Sequence, residues 1–177
     1  MHQNLLLLGS ALLAVGFMST SHAEDSAAGF DVGLSSHYLI KGNYEPIYDI
    51  LLGAEFKYRF KASDDAHYFV KTAVTGNVED SHSKLLIYST SIGRAQNIFN
   101  VLNKTLFADY SLGLAYHQEK FSTQLIDRTV TATFSSWEYQ ADIGVGIEFS
   151  DQLRSRFFIN QLGTQGTTTG LDLSFKF

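Results

Sequence analysis

The stretch YDILLGAEFKYRF, Tyr48 to Phe60, alternates without a slip. Tyr48, Ile50, Leu52, Ala54, Phe56, Tyr58 and Phe60 form one parity, apolar or small throughout, while Asp49, Glu55, Lys57 and Arg59 fall on the other. A period of two marks a strand with two unlike faces. A water-soluble sheet would bury the apolar face and wet the charges. A strand that crosses a bilayer within a closed barrel does the reverse, with the apolar face on lipid and the charges inside. The remainder of the chain decides between these environments.

Seven further segments carry the alternation. The first runs from about Gly29 to Ile40, with Phe30, Val32, Leu34, Tyr38 and Ile40 on one parity. The third, about His67 to Gly76, places Tyr68, Val70 and Val74 together. The fourth, about Lys84 to Gly93, is mixed: Leu86, Tyr88 and Ile92 share a face, but Leu85 and Ile87 sit opposite. The fifth is TLFADYSLGLAYH and the sixth WEYQADIGVGIEF, both cleanly two-faced; the seventh is about Arg154 to Leu162 and the eighth Thr167 to Phe177.

The apolar parity of strands two, five and six carries no charge. A Lys or Arg on a lipid face at mid-bilayer costs about 2–4 kcal/mol, so a bilayer explains this absence. The other parity holds Asp49, Glu55, Lys57, Arg59, Lys71, Asp109, Glu138, Asp142, Glu148, Arg154, Arg156, Asp172 and Lys176, acids and bases in near balance. A closed eight-stranded barrel has an interior just wide enough to be filled by side chains, and charges packed there must pair or cost several kcal/mol each. The expected fold is therefore all-β: an eight-stranded antiparallel transmembrane up-and-down β-barrel whose lumen holds a charge network.

The connections agree. KASDDA and SDQ are short, whereas GNVEDSHS, QEKFSTQLIDRTVTATFSS and GTQGTT fall at the opposite rim and are longer. Short turns at one rim and long loops at the other is the pattern of membrane barrels. Arg94 to Lys104 breaks it, and Ile98, Phe99, Val101 and Leu102 there suggest a helical turn at the interface. Aromatics gather at strand ends. Tyr58, Phe60, Tyr68, Phe149, Phe157, Phe175 and Phe177 are expected at the lower rim, and Tyr38, Tyr48, Tyr116, Trp137 and Tyr139 towards the upper. The soluble rival, a lipocalin-like barrel with its apolar face around a ligand, leaves both aromatic rims and the charge balance unexplained.

The chain opens on an apolar run, Leu5 to Met18, followed by Ser21-His22-Ala23. This reads as a secretory signal cut after Ala23, leaving residues 24–177 as the barrel. The run is too short for a spanning helix of about 20 residues. Cysteine is absent, so no disulfide framework supports the exported domain. A net charge of −5 argues against nucleic acid as a partner. No pattern points to a cofactor.

The end of the chain, TTTGLDLSFKF, resembles the terminal strand of Gram-negative outer-membrane proteins: Gly170, then Leu171, Leu173, Phe175 and Phe177 on one face. Together with YQADIGVGIEFSDQLRSRFFINQLG it is similar to the last strands of small barrels of the OmpA/OmpX/Ail type. The resemblance implies residence in the outer membrane among phospholipid and lipopolysaccharide. It also implies that Gly170, Leu173, Phe175 and Phe177 form an assembly signal for the barrel-assembly machinery, with periplasmic chaperones acting earlier. It further implies a role in envelope integrity or contact with a surface or host ligand, and no catalytic residues. The sequence ends at the barrel, so the peptidoglycan-binding domain of full OmpA-type proteins is expected to be missing.

Two other functions compete: a narrow channel for small solutes, and a lipid-modifying enzyme. For the enzyme, Ser36-His37 and the pair His117 and Glu119 are the candidate groups, since a Ser–His pair can act as nucleophile and base. The His-x-Ser-Asn of lipid A deacylases is absent from the sequence. His82 with Glu79 and Asp80 lacks a ligand spacing. Gly144-Val145-Gly146 lies within a strand and makes room for inward neighbours. The informative loop is Gln118 to Ser136. Its alternation changes parity between Phe134 and Trp137, which suggests a bulge at Ser135-Ser136 below a projecting hairpin.

Overall fold

The structure is a computed structural model, and it describes residues 29–42, 50–63, 65–77, 83–102, 104–126 and 128–177. The proposed signal segment, Tyr48, Asp49, the 78–82 loop with Glu79, Asp80 and His82, and Asp127 lie outside the described residues. Eight strands follow one another: β1 Gly29–Gly42, β2 Ile50–Ser63, β3 Ala66–Asn77, β4 Ser83–Val101, β5 Lys104–Leu125, β6 Arg128–Glu148, β7 Leu153–Leu162 and β8 Gly166–Lys176. Each pairs antiparallel with the next, and β8 closes on β1, giving a barrel. Closure satisfies both edges of every strand within the wall, which a bilayer demands because its core offers no water to unpaired backbone groups.

The two faces are inverted relative to a soluble protein. Val32, Leu34, Leu52, Ile92, Leu112, Leu114, Ile143 and Leu173 point outward and are exposed. Lys57, Arg154 and Arg156 are among the largest fully buried side chains. At the lower rim, where Gly29 and Phe177 lie, Phe30 stacks on Phe56 and Phe177 with centroids 5.8 and 5.2 Å apart, and Phe60 stacks on Tyr68 at 6.0 Å. At the upper rim Tyr88, Tyr116 and Trp137 share one register row. Such rings suit the polar boundary on either side of the hydrocarbon.

Two sequence expectations change. β4 does not turn helical after Arg94. A register irregularity between Asn97 and Phe99 accommodates Ile98, the strand continues to Val101, and Leu102, with φ 51°, turns the chain. There is no bulge at Ser135-Ser136: β5 and β6 pair in unbroken register from Thr105↔Glu148 to Leu125↔Arg128. The parity change has another cause. Below Tyr116 the outward face meets lipid and is apolar. Above it both faces meet water, and the same outward face carries Gln118, Lys120, Ser122, Gln124, Thr129, Thr131, Thr133 and Ser135. Phe121, Val130, Ala132 and Phe134 occupy the inner face instead, and Phe121 meets Phe134 edge-on at 6.1 Å. Leu85 and Ile87 of β4 lie opposite Leu86, Tyr88 and Ile92, as the sequence places them, and are buried in the lumen.

Candidate functional site

Buried charges stack in two tiers along the barrel axis. In the lower tier Asp31 on β1 receives Arg59 of β2 at 2.7 Å and Arg154 of β7 at 3.2 Å. Arg154 also pairs with Glu148 of β6, whose other oxygen takes Lys176 of β8 at 3.1 Å. In the upper tier Arg156 of β7 is the hub. It pairs with Asp142 of β6, with Asp109 of β5 at 2.7 Å and with Asp172 of β8 at 3.8 Å. Lys71 of β3 bridges Asp142 at 3.6 Å and Glu55 of β2 at 4.0 Å, and Lys57 lies 3.8 Å from Glu55. The lower tier has one more base than acid and the upper one more acid than base, so the pair is neutral together. Neutrality matters because an unpaired ion in this enclosed space would cost several kcal/mol.

Aromatic rings floor these cations. Lys57 lies 4.9 Å over Phe69, Arg154 4.7 Å over Phe107 and Arg156 5.2 Å over Phe158. Glycines make the space. A Cβ on Gly144 would sit 2.6 Å from the Arg156 guanidinium carbon, so Gly144 is where Arg156 lies flat against the wall. This is the inward room that a strand glycine supplies, and no phosphate loop is involved.

Above the upper tier, a cavity of about 20 Å³ is bordered by Ser35, His37, Thr75, Gln140 and Asn160 among others, room for about one water. Higher still, Leu39, Leu51, Leu85, Ile87, Ala115 and Leu162 form a buried apolar cluster across the lumen. The sequence reading missed this layer, although the mixed faces of β4 were its signal.

The expected lumen residues Glu55, Lys57, Arg59, Lys71, Asp109, Asp142, Glu148, Arg154, Arg156, Asp172 and Lys176 all take part in the two tiers. Glu138 does not; it sits at the upper mouth and accepts hydrogen bonds from Thr164 N at 3.4 Å and Gln165 Nε2 at 3.2 Å, bracing the β7–β8 turn. Asp31 is the residue the sequence reading omitted, though its parity opposite Phe30 and Val32 places it inward. The terminal-strand residues Leu171, Leu173, Phe175 and Phe177 are exposed on the outer face, and Gly170 lies beside the Phe158 ring. The candidate nucleophile and base are separated. Ser36 bonds the Leu171 carbonyl on the outer side, whereas His37 turns into the lumen 3.1 Å from Ser35 Oγ. His117 is buried on the inner face of β5.

The hairpin of β5 and β6 rises nine residue pairs above the Tyr116–Trp137 row, from His117↔Ser136 to Leu125↔Arg128. β4 accompanies β5 only up to Ser83↔Phe121, and β7 meets β6 only from Gln140 downward. Among the described residues the β6 edge from Thr129 to Tyr139 therefore has no strand partner. That edge contains no Lys, no Pro and no bulge, and its one charge, Glu138, lies at the lower end against the β7–β8 turn, so the devices that usually blunt an exposed strand are missing above it.

No protein-family model matches the sequence, and no curated protein matches it. Solved structures do resemble the fold. Ail, the attachment invasion locus protein of Yersinia pestis, is 18% identical over 88% of this chain and 100% of its own, with a TM-score of 0.58. Ail has also been crystallised with the heparin analogue sucrose octasulfate, and that complex gives a TM-score of 0.56 at 18% identity over 85% of this chain and 97% of the other. Neisserial surface protein A is 10% identical over 86% and 98% of the two chains, with a TM-score of 0.57. The N-terminal β-barrel domain of Pseudomonas aeruginosa OprF is 16% identical over 84% and 97%, with a TM-score of 0.50. With its apolar exterior and ion-paired lumen, this chain has the fold of the small eight-stranded outer-membrane barrels.

Proposed function

We propose that the chain is a non-enzymatic integral outer-membrane protein that supports the envelope and meets surfaces or partners through its outer loops, chiefly residues 118–136. The observation that carries this reading is the β5–β6 hairpin, a two-faced sheet held clear of the membrane with one long edge that has no strand partner among the described residues. An exposed edge of this kind takes an added strand through backbone hydrogen bonds. The fold likeness to Ail, which has been crystallised with a heparin analogue, supports a surface-ligand role of the same general kind. Enzymatic action on lipid is disfavoured by the inward turn of His37 and the outward turn of Ser36. Residues 1–23 act as the secretory signal, and the terminal strand through Phe177 engages the assembly machinery.

Of the replaced segment only Glu119, Lys120 and Phe121 pair with β4, so exchanging residues 119–134 for a short Gly-Ser turn should leave heat-modifiable gel migration unchanged. The same variant should lose attachment of cells to surfaces. Attachment equal to wild type would remove the interaction role and leave a purely structural barrel.

The paired tiers and the apolar layer above them support a lumen closed to solutes. In planar bilayers the pure protein should give no steady conductance, measured at the single-channel level. Sustained openings of porin size would make the channel reading the better one.

A further inference from the structure

The outer face of β4 and β5 carries a feature that neither the lumen nor the free edge uses. Lys84 and Lys120 are direct cross-strand partners, both exposed and on the same outward parity. Like charges placed opposite each other in a sheet are destabilising. On the outer faces of β4, β5 and β6 above the Tyr88–Tyr116–Trp137 row, no described residue is acidic: the set is Lys84, Leu86, Gln118, Lys120, Ser122, Gln124, Thr129, Thr131, Thr133 and Ser135.

The two lysines border a recess of about 420 Å³ with Gly76, Asn77, Leu85, Leu86 and Gln118. That volume is in the range of small-ligand sites, roughly 300–1,000 Å³. The recess has a structural basis. Gly76 lies beside Leu86 and lacks the side chain that would fill the gap. Asn77 ties the strand ends around it, donating to the Ser83 carbonyl at 3.1 Å and accepting from Leu85 N at 2.8 Å.

Its height selects the ligand. Lys84 lies four residues above Tyr88, about 10 Å along the barrel axis for a strand tilted by about 40°. This is the headgroup layer, within reach of a flexible four-carbon stem. Below the recess the same outward face is Leu86, Tyr88, Thr90 and Ile92 on β4 and Tyr116, Leu114 and Leu112 on β5, a track for acyl chains interrupted by one hydroxyl. Two neighbouring ammonium groups above an apolar track fit an amphiphile with a phosphate on its headgroup, because a phosphate monoester carries nearly two negative charges at neutral pH.

We propose that Lys84 and Lys120 form a binding site for a headgroup phosphate of an outer-leaflet glycolipid, seated in the recess beside Leu86 and Gln118. Lys120 belongs to the β5–β6 hairpin, but changing both lysines leaves the β6 edge intact, so lipid binding and the surface role of that edge fail separately.

The test uses the full barrel in phosphatidylcholine nanodiscs, titrated with diphosphorylated lipid A, for wild type and for Lys84→Gln/Lys120→Gln. Heat-modifiable migration checks folding, and Lys84→Arg/Lys120→Arg keeps the charge as a control. Wild type and the arginine variant should bind at least about tenfold more tightly than the glutamine variant, on the scale of surface lysines facing anionic lipid. The difference should vanish with dephosphorylated lipid A, and millimolar inorganic phosphate should not displace the lipid. Equal affinity of wild type and glutamine variant would overturn the site. A difference that persists on the dephosphorylated lipid would overturn the phosphate, and inorganic phosphate binding as tightly as lipid A would overturn the lipid.

Discussion

Arg156→Met is expected to destabilise the folded barrel by about 3–5 kcal/mol, the usual cost of removing one partner from a buried ion pair. Among the described residues Arg156 is the one cation that meets Asp109, Asp142 and Asp172 together, and it is fully buried. Removing it leaves three carboxylates with Lys71 as their nearest ion-paired base, 3.6 Å from Asp142. Urea unfolding of the barrel in detergent or short-chain bilayers reads the change directly. Adding Asp109→Asn to Arg156→Met should recover part of the loss, because it removes one of the stranded charges. A double variant no more stable than Arg156→Met would show that the two residues do not interact as drawn. Arg156→Met alone with wild-type stability would mean that the upper tier is not a closed, desolvated network.

Leu112→Arg should destabilise insertion into bilayers by about 2–4 kcal/mol, and Leu52→Arg should behave alike. Leu112 is exposed and lies four residues below Tyr116, roughly 10 Å beneath the aromatic row and so near the middle of a lipid-facing band about 25 Å tall. Thr129→Arg is the internal comparison. It has the same outward parity on β6 but lies eight residues above Trp137, in water and opposite the uncharged Gln124, where a surface substitution is worth within about 0.5 kcal/mol. Folding of all three variants into large unilamellar vesicles separates the cases. Equal tolerance of arginine at Leu112 and Thr129 would place no membrane around this barrel.

Much of this architecture was legible in the chain. The alternation of Tyr48 to Phe60 and of β5 and β6 assigns the lipid face residue by residue, because a charge there is penalised and a side chain in a strand has only two directions. The same parity identifies which charges enter the lumen. It does not identify partners, since the pairings cross the barrel: Lys71 of β3 reaches Asp142 of β6, and Arg154 of β7 reaches Asp31 of β1. Those distances depend on closure and strand stagger, which no local pattern reports.

The misread segments share a cause. A hydrophobic pattern records which side meets lipid or packing, not the hydrogen-bond register. At Ser135-Ser136 the surroundings change from lipid to water, so the apolar residues change sides while the ladder runs on. At Leu85 and Ile87 the lumen itself turns apolar, and β4 loses its clean alternation. At Ile98-Phe99 the adjacent apolar pair imitates helical spacing, whereas the chain takes one irregular step in register and stays extended.

The most direct test of the inverted faces is a nitroxide scan of β5. The chain has no cysteine, so single cysteines from Leu106 to Gln124 can be labelled without background. Collision with oxygen, which concentrates in lipid, and with a water-soluble nickel complex would be measured for each in bilayers. Oxygen contact should peak at Ala108, Tyr110, Leu112, Leu114 and Tyr116. Asp109, Ser111 and Ala115 should be shielded from both probes, and nickel contact should rise at Gln118, Lys120 and Ser122 on that same outward parity. Oxygen peaks at Asp109, Ser111, Gly113 and Ala115 instead would show the apolar face turned inward and contradict the transmembrane barrel.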